Sequence, residues 1–165
     1  MNEIINMFSK GLSLYVSKDI VIFLISMCPI LELRGGLLAS KILVISLLRA
    51  IPICIIGNII PIPFILLFIK KIFAWMKKIK IFKGFIEKIE NRAMKKSASV
   101  KEAEFWGLLL FVGVPIPGTG AWMGSLIAAL LDMDLKKALV AELLGVIVAT
   151  ILCAILFYGL LGMFI

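Results

Sequence analysis

Apolar residues run in long blocks along this chain, and polar residues interrupt them at a few defined places. In residues 1–17, Ile4, Ile5, Phe8, Leu12, Tyr15 and Val16 fall on one helical face, while Asn2, Glu3, Asn6, Ser9, Lys10 and Ser13 fall on the other. That period predicts an amphipathic helix lying in a membrane interface. A cleaved signal peptide is the competing reading, and no small-residue cleavage site follows an apolar core here. Residues 20–31 and 37–48 are apolar runs of about twelve residues each. Neither matches the roughly 20 helical residues that span a bilayer core. Between them lies Cys28-Pro29-Ile30-Leu31-Glu32-Leu33-Arg34-Gly35-Gly36, with a carboxylate and a guanidinium in the break. Two short arms joined in this way predict a re-entrant hairpin, tolerated only where protein or a wet cavity shields its backbone.

Ala50–Ile69 carries no charge and is long enough to cross. Pro52 suits a first helical turn. Pro61 and Pro63 should kink the far end, because each removes a backbone donor. Asn58 is a polar side chain at mid-depth, either packing glue or site lining. Residues 70–104 form a charged middle in which Ile72, Met76, Ile79, Phe82, Ile86, Ile89 and Ala93 recur at helical steps. This predicts a basic amphipathic helix or helix pair on anionic headgroups, with Gly84 as its break. Ser99-Val100-Lys101-Glu102 has the capping-box pattern, so a helix should start near Val100.

The second half repeats the plan. An apolar run, Phe105–Val114, meets a break at Pro115-Ile116-Pro117-Gly118-Thr119-Gly120, and Ala121–Leu131 follows. Either Asp132 or Asp134 could cap the next helix. Leu143–Ile165 is a second uncharged crossing segment with Glu142 at its start. Pro29 stands 28 residues before Gly57, and Pro115 stands 30 before Gly145. If each half holds one re-entrant hairpin and one crossing helix, the second copy is inverted relative to the first. The expected fold is an all-α integral membrane protein with an inverted repeat. Each half is a re-entrant helical hairpin plus a transmembrane helix, and interfacial amphipathic helices complete it. Residues 1–165 would form one membrane domain: repeat one at about 18–69, a cytoplasmic connector at 70–104, and repeat two at about 105–165.

Composition supports the membrane reading. Hydrophobic residues make up 62% of the chain, and the mean hydropathy is +1.15, whereas soluble domains sit near ~45–50% apolar. Residues 70–104 hold 11 of the 18 Lys and Arg but 4 of the 10 Asp and Glu. That asymmetry is the mark of a cytoplasmic segment facing anionic lipid. It does not point to nucleic acid, since no aromatic-basic platform accompanies it. Cys28, Cys54 and Cys153 lack metal spacing and read as packed small hydrophobes. With no histidine, proton chemistry falls on carboxylates or lysine. No nucleophile–base pair or metal cluster suggests an enzyme, and no cofactor is expected.

The candidate site is the two breaks together: Glu32, Arg34, Gly35, Gly36, Asn58, Pro115, Pro117, Gly118, Thr119, Gly120 and Trp122. Half-helices that begin at a break present unpaired N–H groups and a positive dipole end. Glycines there let a ligand approach the backbone. Thr119 can cap its helix or donate to a ligand, and Arg34 can grip a carboxylate or phosphate. Glu32 can pair with Arg34, pair across to the other break, carry a coupled proton, or bind a cation directly. Trp122 can pack as core or stack on a cation.

Three stretches carry a family resemblance: Pro29-Ile30-Leu31-Glu32-Leu33-Arg34-Gly35; Gly57-Asn58 with Pro61-Ile62-Pro63; and Pro115-Ile116-Pro117-Gly118-Thr119-Gly120-Ala121-Trp122. In this order they resemble the small multidrug export protein family. The broken segments set the chain apart from the four-helix small multidrug resistance transporters. The paired breaks are also similar to DedA and VTT membrane proteins. That similarity implies facing re-entrant hairpins that handle polyprenyl-phosphate or phospholipid headgroups with proton coupling. Glu32 and Arg34 would be the polar pair of the first hairpin. Here no acidic residue follows the Pro-x-Pro-Gly directly, and Glu142 could replace it only by turning inward. Three functions stay open: a transporter or lipid flippase for an anionic substrate, a proton-coupled exporter of cationic drugs, and a membrane homeostasis factor that transports nothing. Each sits in a prokaryotic plasma membrane as a multi-pass protein. A chain this small is also a candidate for dimerising around its cavity.

Overall fold

The computed structural model describes residues 17–116 and 118–160. The amphipathic helix expected at residues 1–17, the tail beyond residue 160 and Pro117 therefore lie outside the described residues, apart from Ser17. Regular structure among the described residues is helical: α1 (Lys18–Met27), α2 (Glu32–Ile42), α3 (Leu47–Ile59), α4 (Pro61–Met76), α5 (Lys80–Lys96), α6 (Ala98–Gly113), α7 (Ala121–Leu130) and α8 (Leu135–Ala154). α8 runs on into a π-helical turn, Ile155–Leu160.

α1 and α2 form the first helix–break–helix pair, and both pack against α3. α2 begins at Glu32 itself, not at Leu37, so Glu32 and Arg34 lie in its first turn. The double glycine stays helical because neighbours fill the space where side chains would be. A Cβ on Gly35 would stand 2.6 Å from Leu31 Cβ, and one on Gly36 would be 2.9 Å from Cys54 Sγ and 3.1 Å from the Ile22 carbonyl. These are close-packing glycines that let α2 sit tightly against α1 and α3.

The Leu47–Met76 stretch is long and apolar enough to cross a membrane. Its regular hydrogen bonding is interrupted at Ile60, just before Pro61, although Ile60 keeps helical dihedrals (φ −53°, ψ −44°). Pro52, however, lies inside α3, which already starts at Leu47. The second candidate span, Leu135–Gly159, starts at Leu135 rather than near Leu143. Asp134 is the residue that caps it, accepting from the Lys137 N–H at 3.0 Å. Glu142 therefore sits two turns inside α8. Both spans turn apolar side chains outward, among them Ile56, Phe64 and Leu67 on one and Ile147 and Ile151 on the other.

The charged middle differs from expectation in two places. Gly84 lies within unbroken α5, and the chain turns instead between Met76 and Lys80. The apolar stripe is part core and part surface: Ile86 and Ala93 are buried, while Ile72 and Phe82 are exposed. α6 starts at Ala98, before the expected Val100, with no side-chain cap. It is kinked at Glu104 (φ 38°). Its apolar part pairs with α7 and α8 to form the second helix–break–helix unit.

The turns that follow α2 and α7 share one hydrogen-bond pattern. After α2, the Leu43 N–H bonds the Ala39 carbonyl (2.9 Å) and the Ile45 N–H bonds the Ser40 carbonyl (2.8 Å); after α7, Leu131 bonds Ile127 (2.9 Å) and Met133 bonds Ala128 (3.0 Å). Val44 (φ 56°) and Asp132 (φ 54°) occupy the same left-handed position. The interhelical glycines repeat as well. A Cβ on Gly57 would meet the Phe23 carbonyl at 2.7 Å, and one on Gly145 would meet the Leu109 carbonyl at 2.9 Å.

The open ends of the two pairs are tied separately. Lys18 Nζ donates to the Leu43 carbonyl (3.0 Å), Lys41 Nζ to the Phe157 carbonyl (2.9 Å), and Arg49 pairs with Asp19. At the second pair, Lys70 bridges Asp132.

Candidate functional site

The two breaks contact each other directly. Glu32 opens α2 with a left-handed backbone (φ 51°), a conformation a non-glycine residue holds only where its surroundings enforce it. Its side chain crosses to the second break. There Oε1 accepts the Trp122 N–H at 3.1 Å, and the Ala121 amide also faces the carboxylate. These are first-turn amides of α7, which lack intrahelical acceptors. Glu32 therefore caps the neighbouring half-helix from outside, at its positive dipole end.

Gly120 makes room for that contact. It is the N-cap of α7, with φ 129° and ψ −175°, a region open essentially to glycine alone. Any Cβ there would overlap the Glu32 carboxylate.

Arg34 reaches the same break from two residues further along α2. Its Nη2 donates to the carbonyls of Val114 (3.3 Å) and Thr119 (3.2 Å) and to Thr119 Oγ1 (3.0 Å), while Nη1 donates to the Ile116 carbonyl. The planar fork gathers carbonyls of the break beyond the end of α6; those of Val114 and Ile116 also accept the backbone N–H groups of Ile116 and Thr119. Thr119 does not cap α7. Its hydroxyl, which accepts from Arg34, lies 2.8 Å from the Ile116 carbonyl and 3.0 Å from that of Val114.

Trp122 answers in the opposite direction. Its indole Nε1–H donates to the Met27 carbonyl (3.2 Å), a free acceptor where α1 ends. Each break thus supplies a long side chain that satisfies the other break's C-terminal carbonyl. Of the pairings open to Glu32 and Arg34, the structure forms the one across the breaks, and no ion pair joins these two among the described residues.

The remaining candidates are less central. Gly35 and Gly36 face α1 and α3. Pro115 is half-buried beside the Arg34 acceptors, and Gly118 has a left-handed φ of 81°. Asn58, 3% exposed, has no partner for Oδ1. One side chain belongs with the site although the sequence left its direction open. Glu142 is 0% exposed, Ser125 Oγ donates to its Oε2 at 2.6 Å, and Oε1 has no partner. The available signal was its register: Ala138, Ala141, Glu142 and Gly145 recur at helical steps on one face. Among the described residues no cluster suited to a metal ion occurs.

Two helices long and apolar enough to cross a membrane, with a junction of paired helix breaks packed against them, are the features of a helical membrane protein. The family model described as "Putative small multi-drug export protein" matches residues 32–152, and the chain belongs to that family. The matched stretch takes in Glu32, Arg34 and the whole second break. An export family is a family of transporters, not a class of enzymes. No curated protein matches the chain, and no solved structure does.

Proposed function

We propose that this protein is a proton-coupled exporter of lipophilic cations, working at the junction of the two breaks. Each helix–break–helix pair is a re-entrant hairpin entering from its own side of a cell membrane, and the two halves form an inverted repeat. Such repeats place their sites near the midplane, at the broken helices. The matched hydrogen bonds around Leu43 and Leu131 support this reading. So do the separate ties at the two open ends. The end carrying Lys70 and α5 is cytoplasmic and rests on anionic headgroups, in keeping with the distribution of basic residues.

The observation that carries the cationic reading is the occupancy of Arg34. Its fork is engaged by four acceptors of the second break, while Glu32 has no cationic side chain paired to it among the described residues. The acidic member of the pair is thus the one a proton or an organic cation can compete for.

One observation favours a second reading. Glu32 already shows that an anion fits the α7 N-terminus beside Arg34, and a phosphate headgroup could take its place. This would be the flippase for polyprenyl phosphates or phospholipids that the likeness to DedA proteins implies.

Reconstitution in liposomes separates the two. Under an imposed pH gradient, tetraphenylphosphonium should move with the wild-type chain and not with Glu32→Gln. Gradient-driven flux that survives Glu32→Gln overturns the cationic reading. Flipping of a fluorescent anionic phospholipid that is lost on Arg34→Ala would establish the second.

A further inference from the structure

Glu142 is a fully buried carboxyl that the junction does not use. It lies on α8, in a span that crosses the membrane under the reading above, and none of its surface reaches solvent. Ser125 Oγ donates to one carboxyl oxygen, and the other has no partner. Buried polar atoms are nearly always bonded, so an open carboxyl oxygen calls for an explanation.

Packing does not supply one. The equivalent place in the first half is held by Cys54. Its Sγ lies against Gly36 as Glu142 Oε1 lies against Gly124, at 2.9 Å and 3.7 Å from a Cβ built on each glycine. A small thiol fills that niche in one half, so the carboxyl in the other is a chemical addition, not a steric need.

Glu142 also has a clear relation to the junction. Glu32 faces the first amides of α7, and Ser125 lies one turn further along the same helix, a rise of ~5.4 Å. α2, α3, α4, α6, α7 and the π-helical turn pack on α8. From α6, Leu108 and Val112 converge with Glu142 on Gly124. Among the titratable groups on these elements Glu32 acts on Glu142 electrostatically, and the Arg34 guanidinium acts in turn on Glu32. No cation is paired with either carboxyl among the described residues.

We propose that Glu142, held by Ser125, is a second proton-carrying site that exchanges its proton with Glu32 during transport. The proton leaves the Glu142 carboxyl, passes through water admitted when the junction opens, and neutralises Glu32. Glu32 then releases the amides of Ala121 and Trp122. Glu32 then loses its proton to the side on which the junction is open, and Glu142 is reprotonated from the opposite side, so that one proton enters and one leaves in each cycle. Ionisable groups within a membrane mark such relays, and two interacting carboxyls titrate as a pair. This inference rests on the proton-coupled reading of the junction.

The test uses the full chain in detergent with two readouts. Infrared difference spectra across a pH step report the carbonyl stretch of a protonated carboxylic acid, whether or not the protein transports anything. The wild type should show such a band; Glu142→Gln should remove it, and Ser125→Ala should shift it. A band unchanged in Glu142→Gln overturns the proposal. The second readout is proton release on adding tetraphenylphosphonium in weak buffer. Glu142→Gln should lower it by roughly half if the pair shares the transfer. Release lost in Glu32→Gln but intact in Glu142→Gln overturns the relay and leaves the exporter reading standing. Absence of release from the wild type overturns the exporter reading and the exchange together.

Discussion

Replacing Gly120 by alanine should damage the junction in two ways at once. The backbone there, at φ 129° and ψ −175°, suits glycine alone, and forcing another residue into it costs about 1–3 kcal/mol. The added methyl would also occupy the space of the Glu32 carboxylate. Displacing Glu32 weakens its bonds to the Trp122 and Ala121 amides, and a hydrogen bond to a charged group contributes about 1.5–3 kcal/mol. Allowing for partial relaxation, the sum is ~3–5 kcal/mol. On the scale of ~2–4 °C per kcal/mol for a chain of this size, Tm should fall by at least ~6 °C. Gly84→Ala is the internal control. Nothing lies within 4 Å of a Cβ at Gly84, which sits inside α5. That change should raise stability by ~0.5–1 kcal/mol, because alanine favours the helix. Thermal unfolding in detergent reads both. A cycle with Glu32→Ala isolates the steric part, which should couple to Gly120→Ala by ~1 kcal/mol or more. Equal melting of Gly120→Ala and wild type would refute the reasoning, and so would strict additivity in the cycle.

Three further outcomes follow from the same geometry. Val44→Gly should stabilise the protein by ~1 kcal/mol, because Val44 is exposed and holds a left-handed φ of 56° that disfavours a β-branched residue; no rise in Tm would count against that turn. Asp134→Ala should cost ~1 kcal/mol by removing the cap on the Lys137 N–H, and Asp134→Ser should restore most of it in the same melting assay. Arg34→Lys should lose ~2 kcal/mol despite keeping the charge, since one ammonium cannot replace a planar fork across the Val114, Ile116 and Thr119 acceptors; a lysine variant as stable as wild type would show that charge alone suffices there.

The two breaks were legible because proline and glycine interrupt apolar runs too short to cross. The exact start of α2 was hidden, because a left-handed glutamate opening a helix has no local sequence signature. Gly84 and Ser99 misled for a related reason. Burial of Ile86 and Ala93 against the core keeps α5 continuous, which outweighs the local cost of one glycine. The pattern at Ser99 falls on the second residue of a helix that starts at Ala98, follows Ser97 as its N-cap and kinks at Glu104. The crossed pairing of Glu32, Arg34 and Trp122 joins residues far apart in sequence, and no spacing rule reaches that distance. From sequence Glu142 reads as the entry of the uncharged run at Leu143, because Lys136 and Lys137 make the preceding stretch look polar; Asp134 in fact caps a helix that starts at Leu135.

The most direct measurement is cross-linking between the breaks in native membranes. In a background freed of Cys28, Cys54 and Cys153, cysteines replace Arg34 and Thr119. They are then treated with a rigid thiol linker about as long as the arginine side chain. The facing-break account predicts rapid intramolecular linkage of positions 34 and 119. Failure to link that pair, while a control pair at Lys70 and Asp132 links readily, would contradict it.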